Sequence, residues 1–155
     1  MRYIKTTFPD INNGSGVRVT LWLPGCIHKC PGCQNSWAAD YKIGQEFDET
    51  AKTYIKELLS RPYVAGLTLS GGDPLAQTDE TLTELRSFLQ EIKAEFPTKN
   101  IWLYTGFYYD DLDNHQLSVL EYVDVIVDGP FKIDMMDRSL PFMGSSNQHI
   151  IELHK

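Results

Sequence analysis

The sequence predicts an α/β fold in which parallel strands alternate with helices. Strand-like apolar runs are separated by segments that repeat apolar residues at helical spacing, which is the pattern of parallel α/β architecture. Within the strands, alternate positions are repeatedly polar, whereas parallel strands buried on both faces read as continuous apolar runs. A closed eight-stranded barrel needs about 250 residues, and this chain has 155. We therefore expect a single domain, residues 1–155, that forms an incomplete, laterally open parallel (β/α) barrel.

The predicted elements follow one another as four strands with helices between them. Val17 to Leu23 is the first strand, and Asp48 is placed to N-cap the helix that follows it. A second helix begins after Thr78 or Asp79, repeats apolar residues at helical spacing and is closed by Pro97. The other predicted elements are strands at 67–70, 101–104 and 123–127, a short helix at 112–120 and a short strand at 149–153.

The alternation within the strands predicts two different faces. In the first strand Val19 and Leu21 lie on one face, and Arg18 lies on the other with Thr20 and Trp22. In the second strand, Leu67 and Leu69 lie on one face and Thr68 and Ser70 on the other. In the fourth strand, one face carries Val123, Val125 and Val127, and the other carries Asp124, Ile126 and Asp128. We expect the apolar sets to pack on the helices and the polar sets to line a concave surface filled by solvent or a ligand.

The charge balance and the cysteine content exclude several classes of protein. Fourteen basic and 21 acidic residues give a net charge of −7, which argues against a protein that neutralises a nucleic-acid backbone. No apolar run approaches the roughly 18 residues of a membrane span, and the start of the chain lacks the apolar segment of a secretory signal. We expect a cytoplasmic protein with reduced thiols and a metal, and no nucleic-acid or membrane partner.

All three cysteines, Cys26, Cys30 and Cys33, lie in one eight-residue stretch after the first strand, with the spacing C-x3-C-x2-C. Soft thiolates select iron–sulfur clusters, zinc or copper(I). Because a [4Fe–4S] cluster ordinarily takes four thiolates, three cysteines leave one iron open for another ligand. A zinc site completed by His28 or another histidine also fits this spacing.

A second candidate segment is Ser70-Gly71-Gly72-Asp73-Pro74, which follows the second predicted strand. Open α/β sheets bind ligands at the carboxyl ends of their strands, and glycines there let a ligand approach the backbone. A simple turn with an exposed Asp73 is the alternative interpretation of this segment.

The cysteine spacing, with the glycine turn after the next strand, resembles the radical S-adenosylmethionine family. Further stretches resemble its anaerobic ribonucleoside-triphosphate reductase-activating proteins: 13–26, 30–35, 104–107, 127–129 and 144–148. Gly32 and Asp73 stand where the wider superfamily usually has an aromatic residue and a glutamate, and both fit this subfamily.

This resemblance implies that Cys26, Cys30 and Cys33 hold a [4Fe–4S] cluster and that S-adenosyl-L-methionine binds at the open iron. It implies cofactor contacts by Gly71, Gly72, Asp73, Thr105, Gly106 and Asp128. A turn or N-cap role for Asp128 is the alternative. The implied activity is reductive cleavage of the cofactor to a radical that takes hydrogen from a glycine of the anaerobic ribonucleoside-triphosphate reductase. A one-electron donor such as reduced flavodoxin is implied as a second partner.

Two other functions are compatible with the motifs. A radical enzyme acting on a small molecule, such as a deazaguanine carboxylase-like enzyme, should need more chain to close its pocket. A non-catalytic iron–sulfur or zinc protein has no use for two glycines beside the metal loop. If the partner is a protein, we expect it to contact the rim at 107–109 and the loop around Met135 and Met136, since aromatic residues and methionine are enriched at interfaces.

Overall fold

The chain folds around one six-stranded sheet whose four central strands are parallel. A computed structural model describes residues 1–154. Its strands are β1 (Arg2–Tyr3), β2 (Lys5–Asp10), β3 (Val17–Leu23), β4 (Gln45–Glu46), β5 (Val64–Gly71), β6 (Asn100–Tyr104), β7 (Val125–Asp128) and β8 (His149–Glu152). Its α-helices are α1 (Glu49–Leu59), α2 (Asp79–Glu95) and α3 (Asn114–Val119). None of these helices combines the length and the apolar character that a bilayer span requires.

The strand order of the sheet is β2-β3-β5-β6-β7-β8. Strands β3, β5, β6 and β7 are parallel, and a helix lies in each connection between them. This confirms the predicted α/β class. The two outer strands are antiparallel to their neighbours, which the sequence did not predict, and β1 pairs with β4 in a separate two-stranded sheet. Within residues 1–154 the outer strands β2 and β8 are not paired with each other, so the sheet remains open.

The helix boundaries follow the predicted caps closely. Asp48 accepts a hydrogen bond from the backbone N–H of Ala51 at the start of α1, as predicted. Thr78 does the same for the N–H of Thr81 at the start of α2. Helix α3 begins two residues later than predicted, because Asp113 forms a capping box with Gln116.

The main core lies between the helices and one face of the sheet. Val19, Leu21, Leu67 and Leu69 are fully buried there, and Arg18, Thr20 and Thr68 are buried on the opposite face. The predicted division of faces is therefore confirmed for β3 and β5. The expectation that the polar sets line a surface filled by solvent or a ligand is wrong for Arg18, Thr20 and Thr68, because they are fully buried within the protein.

For β7 the predicted division of faces is wrong. Ile126 belongs to the main core, whereas Val125 and Val127 pack with Trp102 on the opposite face. The wrong prediction depended on Asp124, which precedes the strand. Its carboxylate accepts hydrogen bonds from Lys93 of α2 and from the Ile101 N–H. Its polarity reflects these local contacts and carries no information about a solvent-filled face.

Candidate metal centre and ligand cavity

The three cysteines line one cavity of about 480 Å³ at the carboxyl ends of β3, β5 and β6. All three are free, half-buried thiols on the loop that follows β3. The base of this loop is closed by two backbone hydrogen bonds, from Gly25 N to Ala38 O at 2.7 Å and from Cys26 N to Ala39 O at 3.1 Å. These bonds join the two ends of residues 25–39, which we call the cysteine loop.

The protein environment favours the protonated form of two of these thiols. Burial raises the pKa of Cys26 above its ordinary value, and the negative charge of Asp73 adds to this effect. Burial also raises the pKa of Cys30, although the backbone N–H of Phe131 acts in the opposite direction by donating to this thiol. Because metals bind the thiolate, loading a metal on this loop must release protons.

The donor set fits a [4Fe–4S] cluster with one open iron. No three His, Cys, Asp or Glu side chains within residues 1–154 form a group that could hold a single metal ion. Thiols that bind different irons of a cluster need to share a cavity but need no common centre. His28, which could have completed a zinc site, has its Nε2 atom 2.5 Å from Asp73 Oδ2 instead. The zinc interpretation therefore loses one of its candidate fourth ligands.

Asp73 is a fully buried junction between three loops. Its carboxylate accepts hydrogen bonds from Leu75 N, Thr105 Oγ1 and Gly106 N, each at 2.9 Å, and is also bonded to His28 of the cysteine loop. The alternative of an exposed turn aspartate is therefore wrong. Asp73 is not among the residues that line the cavity. Its contacts hold the cysteine loop, the glycine turn and the loop after β6 together from behind the cavity wall.

The two glycines of the turn line the cavity and also pack directly on the cysteine loop and the end of β3. Gly71 has a φ of +118°, and a Cβ there would lie 2.3 Å from Leu23 O. A Cβ on Gly72 would lie 2.3 Å from Gly25 O and 2.8 Å from Ala38 O. Neither position can carry a side chain without moving the backbone, quite apart from any bound ligand.

The other predicted cofactor residues have different positions. Thr105 and Gly106 line the cavity, and the ring of His28 occupies the space that a Cβ on Gly106 would need. Asp128 lies outside this cavity, beside a second pocket. Its buried carboxylate accepts hydrogen bonds from Tyr109 N at 2.8 Å and His149 N at 3.1 Å. These bonds give Asp128 the turn-stabilising contacts of the alternative interpretation.

Several cavity residues were not predicted from the sequence. Asn12 and Asn13 precede β3, Trp22 lies on β3, and Leu140, Phe142 and Met143 come from the segment before β8. This segment folds back over the polar face of the sheet, where the rings of Phe142 and Trp102 lie 5.4 Å apart. The sequence signal in this segment was the stretch 144–148, which gave no indication that the residues before it line the cavity.

The predicted rim is only partly exposed. Phe107 packs against the main core and lies 4.6 Å from the ring of His28. Met135 and Met136 are 38% and 46% exposed. Contact with a partner remains a prediction for this region.

A buried polar layer supports the floor of the cavity. Arg18 is fully buried and donates to Thr68 Oγ1 and Asn100 Oδ1, both at 2.7 Å. Burial lowers its pKa to about 10. Tyr104 lines the cavity, and burial raises the pKa of its hydroxyl, for which no hydrogen-bond partner is present within residues 1–154. This layer fixes the sheet beneath the site.

Comparison with known proteins identifies the class of protein to which this chain belongs. Residues 12–151 match a family model described as a 4Fe-4S single cluster domain, in agreement with the three thiols on one cavity. The chain is thus an iron–sulfur protein of the single-cluster class.

Named relatives narrow the class to one family. The anaerobic ribonucleoside-triphosphate reductase-activating protein of Haemophilus influenzae is 40% identical, covering 97% of both chains. That of Enterobacteria phage T4 is 41% identical over 97% of this chain and 93% of its own, and that of Escherichia coli K12 is 40% identical over 93% and 94%. The chain belongs to the family of anaerobic ribonucleoside-triphosphate reductase-activating proteins.

Proposed function

We propose that this protein activates the anaerobic ribonucleoside-triphosphate reductase by reductive cleavage of S-adenosyl-L-methionine at a [4Fe–4S] cluster. The observation that carries the proposal is the cavity itself, where three free thiols meet a glycine turn that is docked on the cysteine loop. With one electron from a reductant, the bound cluster and cofactor would supply the radical chemistry that takes hydrogen from a glycine of the reductase. The names of the relatives support this choice of target.

Different residues of the chain would bind the cluster and the cofactor. Cys26, Cys30 and Cys33 hold the cluster and leave one iron without a protein ligand. Gly71 and Gly72 present backbone to the cofactor at the carboxyl end of β5. Thr105 and Gly106 form the adjoining wall, which Asp73 fixes relative to the cysteine loop.

The open sheet suits a protein substrate. We take the six strands, unpaired between β2 and β8, as an incomplete barrel of the radical S-adenosylmethionine type. A glycine of another protein must reach the cavity, and an open side admits it. The reductase would then complete the enclosure that keeps water from a reactive radical.

The proposal is tested by anaerobic reconstitution with iron and sulfide. We expect the electron paramagnetic resonance spectrum of the reduced cluster to change when S-adenosylmethionine is added, because the cofactor occupies the open iron. Cys26→Ser, Cys30→Ser and Cys33→Ser should each abolish formation of 5′-deoxyadenosine. Ser36→Ala, an exposed change on the same loop, is the matched control and should retain it.

A glycyl-radical signal should appear on the reductase only when the activating protein, reductant and cofactor are all present. Full cleavage activity in a cysteine variant would contradict the assignment of the metal ligands. Cofactor cleavage with no radical on the reductase would favour an enzyme that acts on a small molecule.

A further inference from the structure

A stack of one lysine and two tryptophans connects the protein surface with the cavity that the cysteines line. Lys5 Nζ lies 5.0 Å from the ring centroid of Trp37 and 5.3 Å from that of Trp22. The two indole rings are 5.8 Å apart. Trp22 lines the cavity, whereas Trp37 lies in the cysteine loop, four residues after Cys33, and is 46% exposed. The stack therefore runs from solvent to the wall of the candidate metal centre.

The outer end of this stack has the composition of a docking surface. Lys5 is exposed on the edge strand β2, opposite Trp22 of β3, and has no carboxylate partner within residues 1–154. Exposed tryptophans are uncommon on free surfaces and dominate binding energy where they occur at interfaces. A cation over an indole ring also holds both groups in one orientation, which lowers the entropy lost on binding.

The distribution of charge indicates what kind of partner fits this surface. Residues 1–46, which include the stack and the cysteine loop, contain five basic and three acidic residues. Residues 47–155 contain nine basic and 18 acidic residues. The molecule is acidic overall, yet residues 1–46 carry a net charge of +2 (five minus three), and the two buried members of this count, Arg18 and Asp10, cancel each other. An acidic protein would be repelled by most of the molecule and attracted to this region.

From these observations we infer that the surface of Lys5 and Trp37 is the docking site of an acidic one-electron donor protein. This inference rests on the proposed function, which requires that a donor be oxidised by one electron and the cluster be reduced by the same electron. Donor docking at the outer side of the cysteine loop leaves the cavity free for the cofactor. It also leaves the tail segment 130–148 in place over the sheet.

Lys5→Glu and Trp37→Leu are the test variants, and Lys5→Arg is the conservative one. The chain offers a matched control beside Phe8 of the same edge strand. There Arg61 lies 5.2 Å from the ring of Phe8, beside Tyr63, which is 59% exposed. Phe8, Arg61 and Tyr63 do not line the cysteine cavity. Arg61→Glu therefore makes the same charge reversal on a similar cation–aromatic cluster away from the proposed site.

The primary measurement is the affinity of the cluster-loaded protein for an acidic flavodoxin at low and high salt. Charge reversal in Lys5→Glu should weaken binding about tenfold or more at low salt, and removal of the indole in Trp37→Leu should weaken it to a similar extent. Lys5→Arg should retain the affinity, and Arg61→Glu should behave as wild type. The salt dependence should be smaller in Lys5→Glu than in wild type.

A second measurement separates docking from function. With dithionite as reductant, Lys5→Glu should load the cluster and form 5′-deoxyadenosine as wild type does, while reduction by flavodoxin becomes slower in both Lys5→Glu and Trp37→Leu. If dithionite-reduced wild type forms no 5′-deoxyadenosine, the proposed function fails. If cleavage is normal but flavodoxin binds both variants as tightly as wild type, the inference is overturned. If Lys5→Glu or Trp37→Leu forms no glycyl radical on the reductase with dithionite as reductant, the inference is also overturned, because this surface would then bind the reductase.

Discussion

Replacement of Asp73 by alanine should destabilise the fold, because this one carboxylate satisfies buried donors from three loops. The variant leaves the backbone N–H groups of Leu75 and Gly106 without an acceptor, and neither group can turn away as a side chain could. A buried donor left unsatisfied costs about 1–3 kcal/mol, so the two together predict a loss of about 2–6 kcal/mol in the free energy of unfolding. That is a large fraction of the roughly 5–15 kcal/mol of an ordinary domain.

The loss is measured by urea unfolding of the cluster-free protein under anaerobic, reducing conditions. Asp79→Ala is the matched control, because the Asp79 side chain is 79% exposed at the start of α2 and its removal should cost about 1 kcal/mol or less. Asp73→Asn keeps one oxygen acceptor and should fall between wild type and Asp73→Ala, which also provides a test if the alanine variant does not fold. Equal losses in Asp73→Ala and Asp79→Ala would refute the assignment of Asp73 as a structural junction.

Two further predictions concern the candidate metal centre, and one concerns Asp10 at the end of β2. Gly72→Ala should lower both iron loading and S-adenosylmethionine binding, since its Cβ would lie 2.3 Å from Gly25 O; normal iron content would show that the cysteine loop does not depend on this contact. The buried Asp10 carboxylate accepts hydrogen bonds from Asn12 N, Asn13 Nδ2 and Thr20 Oγ1. Burial opposes ionisation of Asp10, but these hydrogen bonds outweigh it and lower the pKa of the carboxyl below its ordinary value. The stability that the ionised group contributes is therefore lost as the pH falls through the pKa of the folded state. When the pH is lowered from about 5 to about 3, the free energy of unfolding should therefore fall less in Asp10→Asn than in wild type. Alkylation of Cys26 and Cys30 in the cluster-free protein should be slower than that of glutathione at pH 8, as followed by mass spectrometry, because burial raises the pKa of both thiols.

Much of the parallel core was predictable, because its signals are local in the sequence. The alternation in β3 and β5 identifies their buried faces, and Asp48 and Thr78 mark two helix starts by ordinary capping chemistry. Strand β2 was not predicted. It contains a proline and no regular alternation, and it forms because the neighbouring edge of β3 offers unpaired backbone groups.

The candidate site was predictable in its motifs and much less in its contacts. The three cysteines and the two glycines could be found from spacing. The bond between His28 and Asp73 joins residues 45 positions apart, and no local pattern encodes such a pair. The glycine at 72 was expected to make room for a ligand, and the structure shows that it makes room for the cysteine loop as well. Tertiary contacts of this kind can be identified only when the pairing of the strands in the sheet is known.

The closed base of the cysteine loop has a consequence for how the cluster is acquired. In small zinc domains the metal orders the chain, so loss of the metal unfolds the protein. Here the bonds from Gly25 N to Ala38 O and from Cys26 N to Ala39 O join backbone groups, and the loop that they close is attached to a sheet with its own hydrophobic core. Little ordering of the chain then remains to be done when iron and sulfide bind. Loss of the cluster to oxygen should thus leave the protein folded, and we expect that iron and sulfide can then rebuild the cluster without a refolding step.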